Sequence, residues 1–185
     1  MPAALSKMIS LGTEAPAFSI MDTISGEILS LTKLKGEVAT VIMFICNHCP
    51  YVKHVNNELI NLAKEYSPKK IGFIAISSND IKKYPEDGPA EMKRTASQLG
   101  YPFPYLFDES QQVAKAYDAA CTPDFYVYDK QLKLVYRGQL DESRPGNKIP
   151  VNGEDIRKAL NALLNDMPVS PKQKPSIGCS LKWKE

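Results

Sequence analysis

Cys46 and Cys49, separated by Asn47 and His48, close an apolar run over residues 38–45 and precede apolar residues at helical spacing. Two thiols so placed can shuttle between dithiol and disulfide. Inside a helix, residues three apart hold their Cβ atoms roughly 5–6 Å apart, too far for a relaxed disulfide, which wants about 3.5–4.5 Å. At a strand-to-helix turn the leading residue need not be helical, so the bond can close. The same turn brings a sulfur to the unpaired N–H groups and positive dipole end of the helix, which favour the reactive thiolate. The expectation is that Cys46, at the open end, attacks as the thiolate, and that Cys49, one turn inside, resolves the mixed disulfide. A protonated His48 would stabilise the Cys46 thiolate, which makes the reduced state easier to reach. The competing readings are half of a zinc site, two inert buried cysteines, and an idle loop histidine. His54, the other histidine, reads as a surface or packing residue.

The elements that must hold this turn follow from periodicity. Residues 38–45 are nearly all apolar, as in a strand buried on both faces. Val52, Val55, Leu59, Leu62, Ala63 and Tyr66 form a helical stripe ending before Pro68, and residues 71–76 make a second buried strand. Strand, helix and strand form a βαβ unit with a right-handed crossover. Upstream, residues 11–18 read as a loop entering a short edge segment, 22–26 as a turn, 27–31 as the returning strand of a hairpin, and 33–36 as one helical turn stopped by glycine. Downstream come a helix over residues 90–99, an extended piece at 105–107, and a helix capped by Ser110. A hairpin follows, with strands at 125–128 and 132–137, and then a last helix capped by Asn152. Residues 84–87 and 141–146 read as solvated loops. The alternative is that they rim the site with Glu86 or Asp87 acting on a proton, although no partner is assignable to either. Arg137 reads as a strand-end surface charge. This order defines a small α/β domain.

Bulk properties narrow the function. A chain of 185 residues suits one compact domain. A net charge of +2 gives no basic surface for nucleic acid, and no apolar run approaches the roughly 18–20 residues of a membrane span. Residues 1–14 lack the apolar core of a secretory signal, so the expected compartment is the cytoplasm, where a disulfide is more often catalytic than structural. Residues 1–167 are expected to form the domain and residues 168–185 a tail. Its proline-bearing start reads as a linker, but Ile177, Cys179, Leu181 and Trp183 alternate with small or charged residues. That is a half-buried strand pattern, so the tail should dock extended, with Cys179 turned inward.

Beyond these patterns, the chain resembles a known family. Strand, Cys-x-x-Cys, helix, strand, and then Thr122-Pro123 opening a later hairpin resemble the thioredoxin fold, a three-layer arrangement with a central mixed sheet flanked by helices. Ala15-Pro16-Ala17-Phe18, Leu31-x-x-Leu34-Lys35-Gly36, Phe107-Asp108 and Val113-Ala114-x-Ala116-Tyr117 resemble the AhpC/TSA family of TlpA-like thiol–disulfide oxidoreductases and peroxiredoxins. The segments at 46–52, 121–125, 141–146 and 178–184 mark a redoxin-like subgroup within it.

The resemblance implies a cis Thr122–Pro123 bond against the cysteine turn, with the Thr122 backbone exposed to pair with an extended substrate. It implies exchange with a protein or small-molecule thiol or disulfide, an external thiol reductant, and no bound organic cofactor. A histidine directly before the second cysteine implies a pair more oxidising than thioredoxin. Cys121, next to Thr122, should lie near the pair. Cys179 is then placed to bond with Cys121 or to act as a second resolving thiol, the alternative being two buried free cysteines acting as small hydrophobes. A peroxidase, with Arg137 as the arginine such enzymes use, is the enzymatic rival, although neither cysteine has the Thr or Ser three residues upstream that peroxiredoxins carry. A four-thiolate metal module built from Cys46, Cys49, Cys121 and Cys179 is the non-enzymatic one.

Overall fold

The computed structural model describes residues 3–185. In chain order the elements are β1 (Ala3–Leu5), β2 (Ser19–Asp22), β3 (Ile28–Ser30), α1 (Leu31–Leu34), β4 (Ala39–Phe44), α2 (Pro50–Tyr66), β5 (Ile71–Ser77), α3 (Pro89–Leu99) and β6 (Tyr105–Phe107). They continue with α4 (Gln112–Ala116), β7 (Cys121–Thr122), β8 (Asp124–Asp129), β9 (Leu134–Gly138), α5 (Glu154–Leu164) and β10 (Ile177–Ser180).

Seven strands make the main sheet in the order β3-β2-β6-β5-β4-β8-β9. β4 runs parallel to β5, and β5 to β6, while β8 and β9 add antiparallel. The sheet is therefore mixed, and β4 is inside it. All six residues of β4 are buried, and their alternation explains why. Val41 and Met43 face a core shared with α2, α3 and α5, built from Val52, Leu59, Met92 and Leu160. Ile42 and Phe44 face a second core with Leu31 of α1 and Ala114 of α4. A strand with two buried faces cannot slip by one residue without exchanging its two side-chain sets, so the cysteines at its end are fixed in register. This is the thioredoxin-like arrangement of a mixed sheet with helices on both faces.

Two helix starts differ from expectation. α5 begins after Gly153, which adopts φ +62°, while the Asp141 carboxylate accepts the Asn152 and Gly153 N–H groups. Asn152 caps only through Oδ1 to the Glu154 N–H, at 3.0 Å. At α4, Asp108 Oδ2 takes the Ala114 N–H at 2.9 Å, and Ser110 holds only the Gln112 N–H. In both cases a carboxylate brought in by the fold outcompetes the local polar residue, since charged acceptors bind amides more strongly.

A second, three-stranded sheet has the order β1-β10-β7. The tail therefore docks as a middle strand. Cys179 turns inward, but Trp183 remains 39 % exposed, so the alternation fails at its last position.

Candidate active site

Pro50 lacks an N–H and carries a helical φ, so it suits the first helical position and α2 starts there. Cys49 is consequently the N-cap of α2, and Cys46 lies in the loop between β4 and the helix. This reverses the expected placing: the sulfur nearest the helix dipole is that of Cys49. Neither is open, at 1 % exposure for Cys46 and 0 % for Cys49.

The electrostatics follow this geometry. The Cys46 thiol, then the Cys179 thiol and the amides of Val52 and Cys179, stabilise charge on Cys49 against burial and bring its pKa down to about 4. Cys46 is pushed up: donating to Cys49 comes first, then burial, then the Asp87 charge. Thr122 Oγ1, 3.4 Å from Cys46 Sγ, works the other way. When protonated, Cys49 donates to the Thr122 carbonyl at 3.2 Å.

Asp87 does rim the site, but its burial and its partners are what the sequence does not show. Its carboxylate is fully buried, and Oδ1 accepts the N–H groups of Asn47 and His48 at 2.8 and 3.2 Å. Oδ2 meets His48 Nδ1 at 2.5 Å and accepts from Asn79 Nδ2 at 2.9 Å. Burial alone would raise this carboxyl, but the His48 and Asn79 bonds hold it below its usual range. The cysteine turn is thus clamped from the far side by one anion. His48 is spent on that anion and stacks on Tyr84, with ring centroids 4.8 Å apart. It is not an idle loop residue, and the charge reaching Cys46 from this side is that of Asp87. No local pattern marks Asp87, because its partners on the cysteine turn lie about forty residues earlier in the chain.

The Thr122–Pro123 bond is cis, as the resemblance implies. The Thr122 edge, however, is not free for substrate: β10 pairs with it, Cys179 opposite Thr122 and Ser180 opposite Cys121. Directly opposed residues share a face and their neighbours point away. Cys179 therefore shares the Thr122 face, its sulfur 2.9 Å from Cys49 Sγ, whereas Cys121 turns away and donates to the Pro123 carbonyl at 3.6 Å. Burial raises both thiols, Cys179 to about 12. The register does not support a Cys121–Cys179 bond or a four-thiolate cluster. Among the described residues, the one group of metal-ligating side chains is Cys46, His48 and Asp87.

Arg137 is buried as well, against expectation. Its Nη2 lies 3.1 Å from Asp124 Oδ2 and 2.9 Å from the Asp118 carbonyl, and its guanidinium covers the Tyr126 ring. Asp124 follows Pro123 into the sheet interior, and a buried carboxylate there requires a counter-charge. His54 packs as expected, with Nε2 2.7 Å from Ser143 Oγ in the 141–146 loop.

The profile of the AhpC/TSA family matches residues 11–137. The fold matches an uncharacterized conserved protein from Geobacillus kaustophilus at 63 % identity and TM-score 0.98, covering 100 % of this chain and 97 % of that one. A hypothetical protein from Sinorhizobium meliloti 1021 matches at 43 % identity and TM-score 0.95, over 97 % and 98 % of the two chains. A putative thiol:disulfide interchange protein DsbE from Chlorobium tepidum matches at 18 % identity and TM-score 0.67, over 85 % and 99 %, a likeness of fold. No curated protein matches the chain. Among the described residues no helix is long and apolar enough to cross a membrane.

Proposed function

The chain belongs to the AhpC/TSA family, and on that premise we propose that it is a thiol–disulfide oxidoreductase working through Cys46 and Cys49. The observation that carries this reading is Cys49 at the start of α2, its thiol lowered to about 4, three residues after Cys46. In the reducing direction Cys46 attacks a substrate disulfide, one substrate sulfur bonding to Cys46 and the other leaving as a thiol with the proton that Cys46 lost. The Cys49 thiolate then attacks Cys46 and releases the substrate as a thiol. In the oxidising direction a substrate thiolate attacks Cys46 of the Cys46–Cys49 disulfide, and Cys49 departs as a stable thiolate. Low leaving-group pKa speeds this step, and a stabilised reduced state makes the pair a stronger oxidant than thioredoxin.

Cys46 is the exchanging sulfur because Cys49 is enclosed by Thr122 and Cys179. Cys46 adjoins Asn47 and His48, which line an open groove with Lys53, Asn57 and Glu86. Thr122 Oγ1 supports the Cys46 thiolate, and Asp87 holds the turn. The partners are a protein or small-molecule disulfide and an external thiol, in the cytoplasm. Insulin-disulfide reduction tests this reading. Cys46→Ser should abolish it and Cys49→Ser should accumulate mixed disulfides, whereas full activity in Cys46→Ser contradicts the assignment. Hydrogen peroxide turnover by the same variants reads the peroxidase alternative.

A further inference from the structure

We propose that Cys179, on the chain's own C-terminal strand, is a third redox thiol that takes the disulfide from the Cys46–Cys49 pair by bonding to Cys49. This rests on the exchange reading above. Three observations carry it. The Cys179 and Cys49 sulfurs are 2.9 Å apart, both buried. Cys179 reaches that position as the cross-strand partner of Thr122. In this fold family the Thr122 edge is the one expected to receive an extended substrate, so the tail presents Cys179 as a substrate presents its own sulfur. Finally, the approach is built in. A Cβ on Gly178 would lie 2.0 Å from the Thr122 carbonyl oxygen, so only glycine lets the strand come this close.

The strand is also fastened on both sides of Cys179. The Ser176 hydroxyl donates to the Pro123 carbonyl at 2.7 Å, and the Ser176 N–H donates to Ser6 Oγ at 2.8 Å. Beyond Cys179, the Lys182 N–H donates to Asn79 Oδ1 and its carbonyl accepts from the Asp80 N–H.

The step balances without an added reagent. The Cys179 thiolate attacks Cys49 of the Cys46–Cys49 disulfide, the Cys49–Cys179 bond forms, and the Cys46–Cys49 bond breaks. Cys46 leaves as a thiolate and takes up the proton Cys179 lost. The two-electron oxidation comes from the external disulfide that first charged the pair. Cys46 is then free to meet a second substrate while the oxidation is stored beneath the tail.

The test oxidises the full chain with glutathione disulfide, quenches it by alkylation, and maps tryptic peptides. Cys46 and Cys49 share the peptide spanning residues 36–53, and Cys179 lies in residues 173–182, so their link joins two peptides. The wild type, charged through Cys46, should form the cross-link, and Cys46→Ser and Cys46→Ala, which lack the entry sulfur, should not. Cys121→Ser should keep the link and Cys179→Ser should lose it. An oxidised wild type holding only the Cys46–Cys49 disulfide, with Cys179 alkylated, overturns the proposal. Insulin reduction by the wild type separates the two claims: activity without any cross-link sinks the relay alone. A cross-link without exchange on external substrates sinks the function and supports the bond.

Discussion

The Cys46 thiol, then the Cys179 thiol and the amides of Val52 and Cys179, favour charge on Cys49 against its burial and bring its pKa down to about 4. In the reduced protein, thiolate absorbance at 240 nm should therefore titrate with a midpoint near 4, and Cys49→Ser should remove that transition. With one sulfur ionised above that pH, reduction takes up two electrons and one proton. The potential should then fall by about 30 mV per pH unit, in place of about 59 mV for two protons. Asp87→Asn removes the negative charge that helps raise Cys46, so Cys46 should alkylate faster at neutral pH. The same change weakens the clamp on Asn47 and His48 and should destabilise the fold by roughly 2–3 kcal/mol, measured by denaturant unfolding. The two cysteines were legible from their spacing. The burial of Asp87 was not, because a buried carboxylate looks like any loop acid until the fold brings its partners to it.

At the scale of elements, the βαβ unit and the late hairpin could be read from periodicity, since buried strands and amphipathic helices leave direct patterns. The caps of α4 and α5 could not, because Asp108 and Asp141 reach them through tertiary structure. Arg137 shows the same limit. Its ion pair with Asp124 is buried, and removing one partner strands a charge, which costs about 3–5 kcal/mol. Arg137→Met, which leaves the buried Asp124 carboxylate without its counter-charge, should lose about that much at neutral pH, and adding Asp124→Asn should recover most of it in urea unfolding. Burial raises Asp124 to about 6 despite the arginine. A carboxyl raised above its ordinary value of about 3.9 contributes stability below that pH, and loses it as pH rises through 6. The thermal midpoint of the wild type, relative to Asp124→Asn, should accordingly decline between pH 4 and pH 6. At β10, Gly178→Ala should drive the strand off Thr122, seen as faster amide exchange over residues 177–180.

Across the whole molecule, the main sheet delivers the Cys46–Cys49 turn from one side, and the small sheet closes over it from the other. The tail's alternation announced a docked strand. Its neighbours could not be foretold, because β1 and β7 are three and two residues long and carry little periodicity of their own. On the proposed function, this site is a redox pair whose Cys49 caps the helix, and the Thr122 edge beside it is filled by the chain's own tail. The central claim is that the Cys49 thiolate stabilises the reduced pair, and its reduction potential tests this most directly. The protein would be equilibrated in glutathione buffers at pH 7, and the Cys46–Cys49 disulfide read by alkylation and mass spectrometry. A midpoint well above thioredoxin's ≈ −270 mV is predicted; a midpoint at or below that value, or no Cys46–Cys49 disulfide at any buffer potential, would contradict the account.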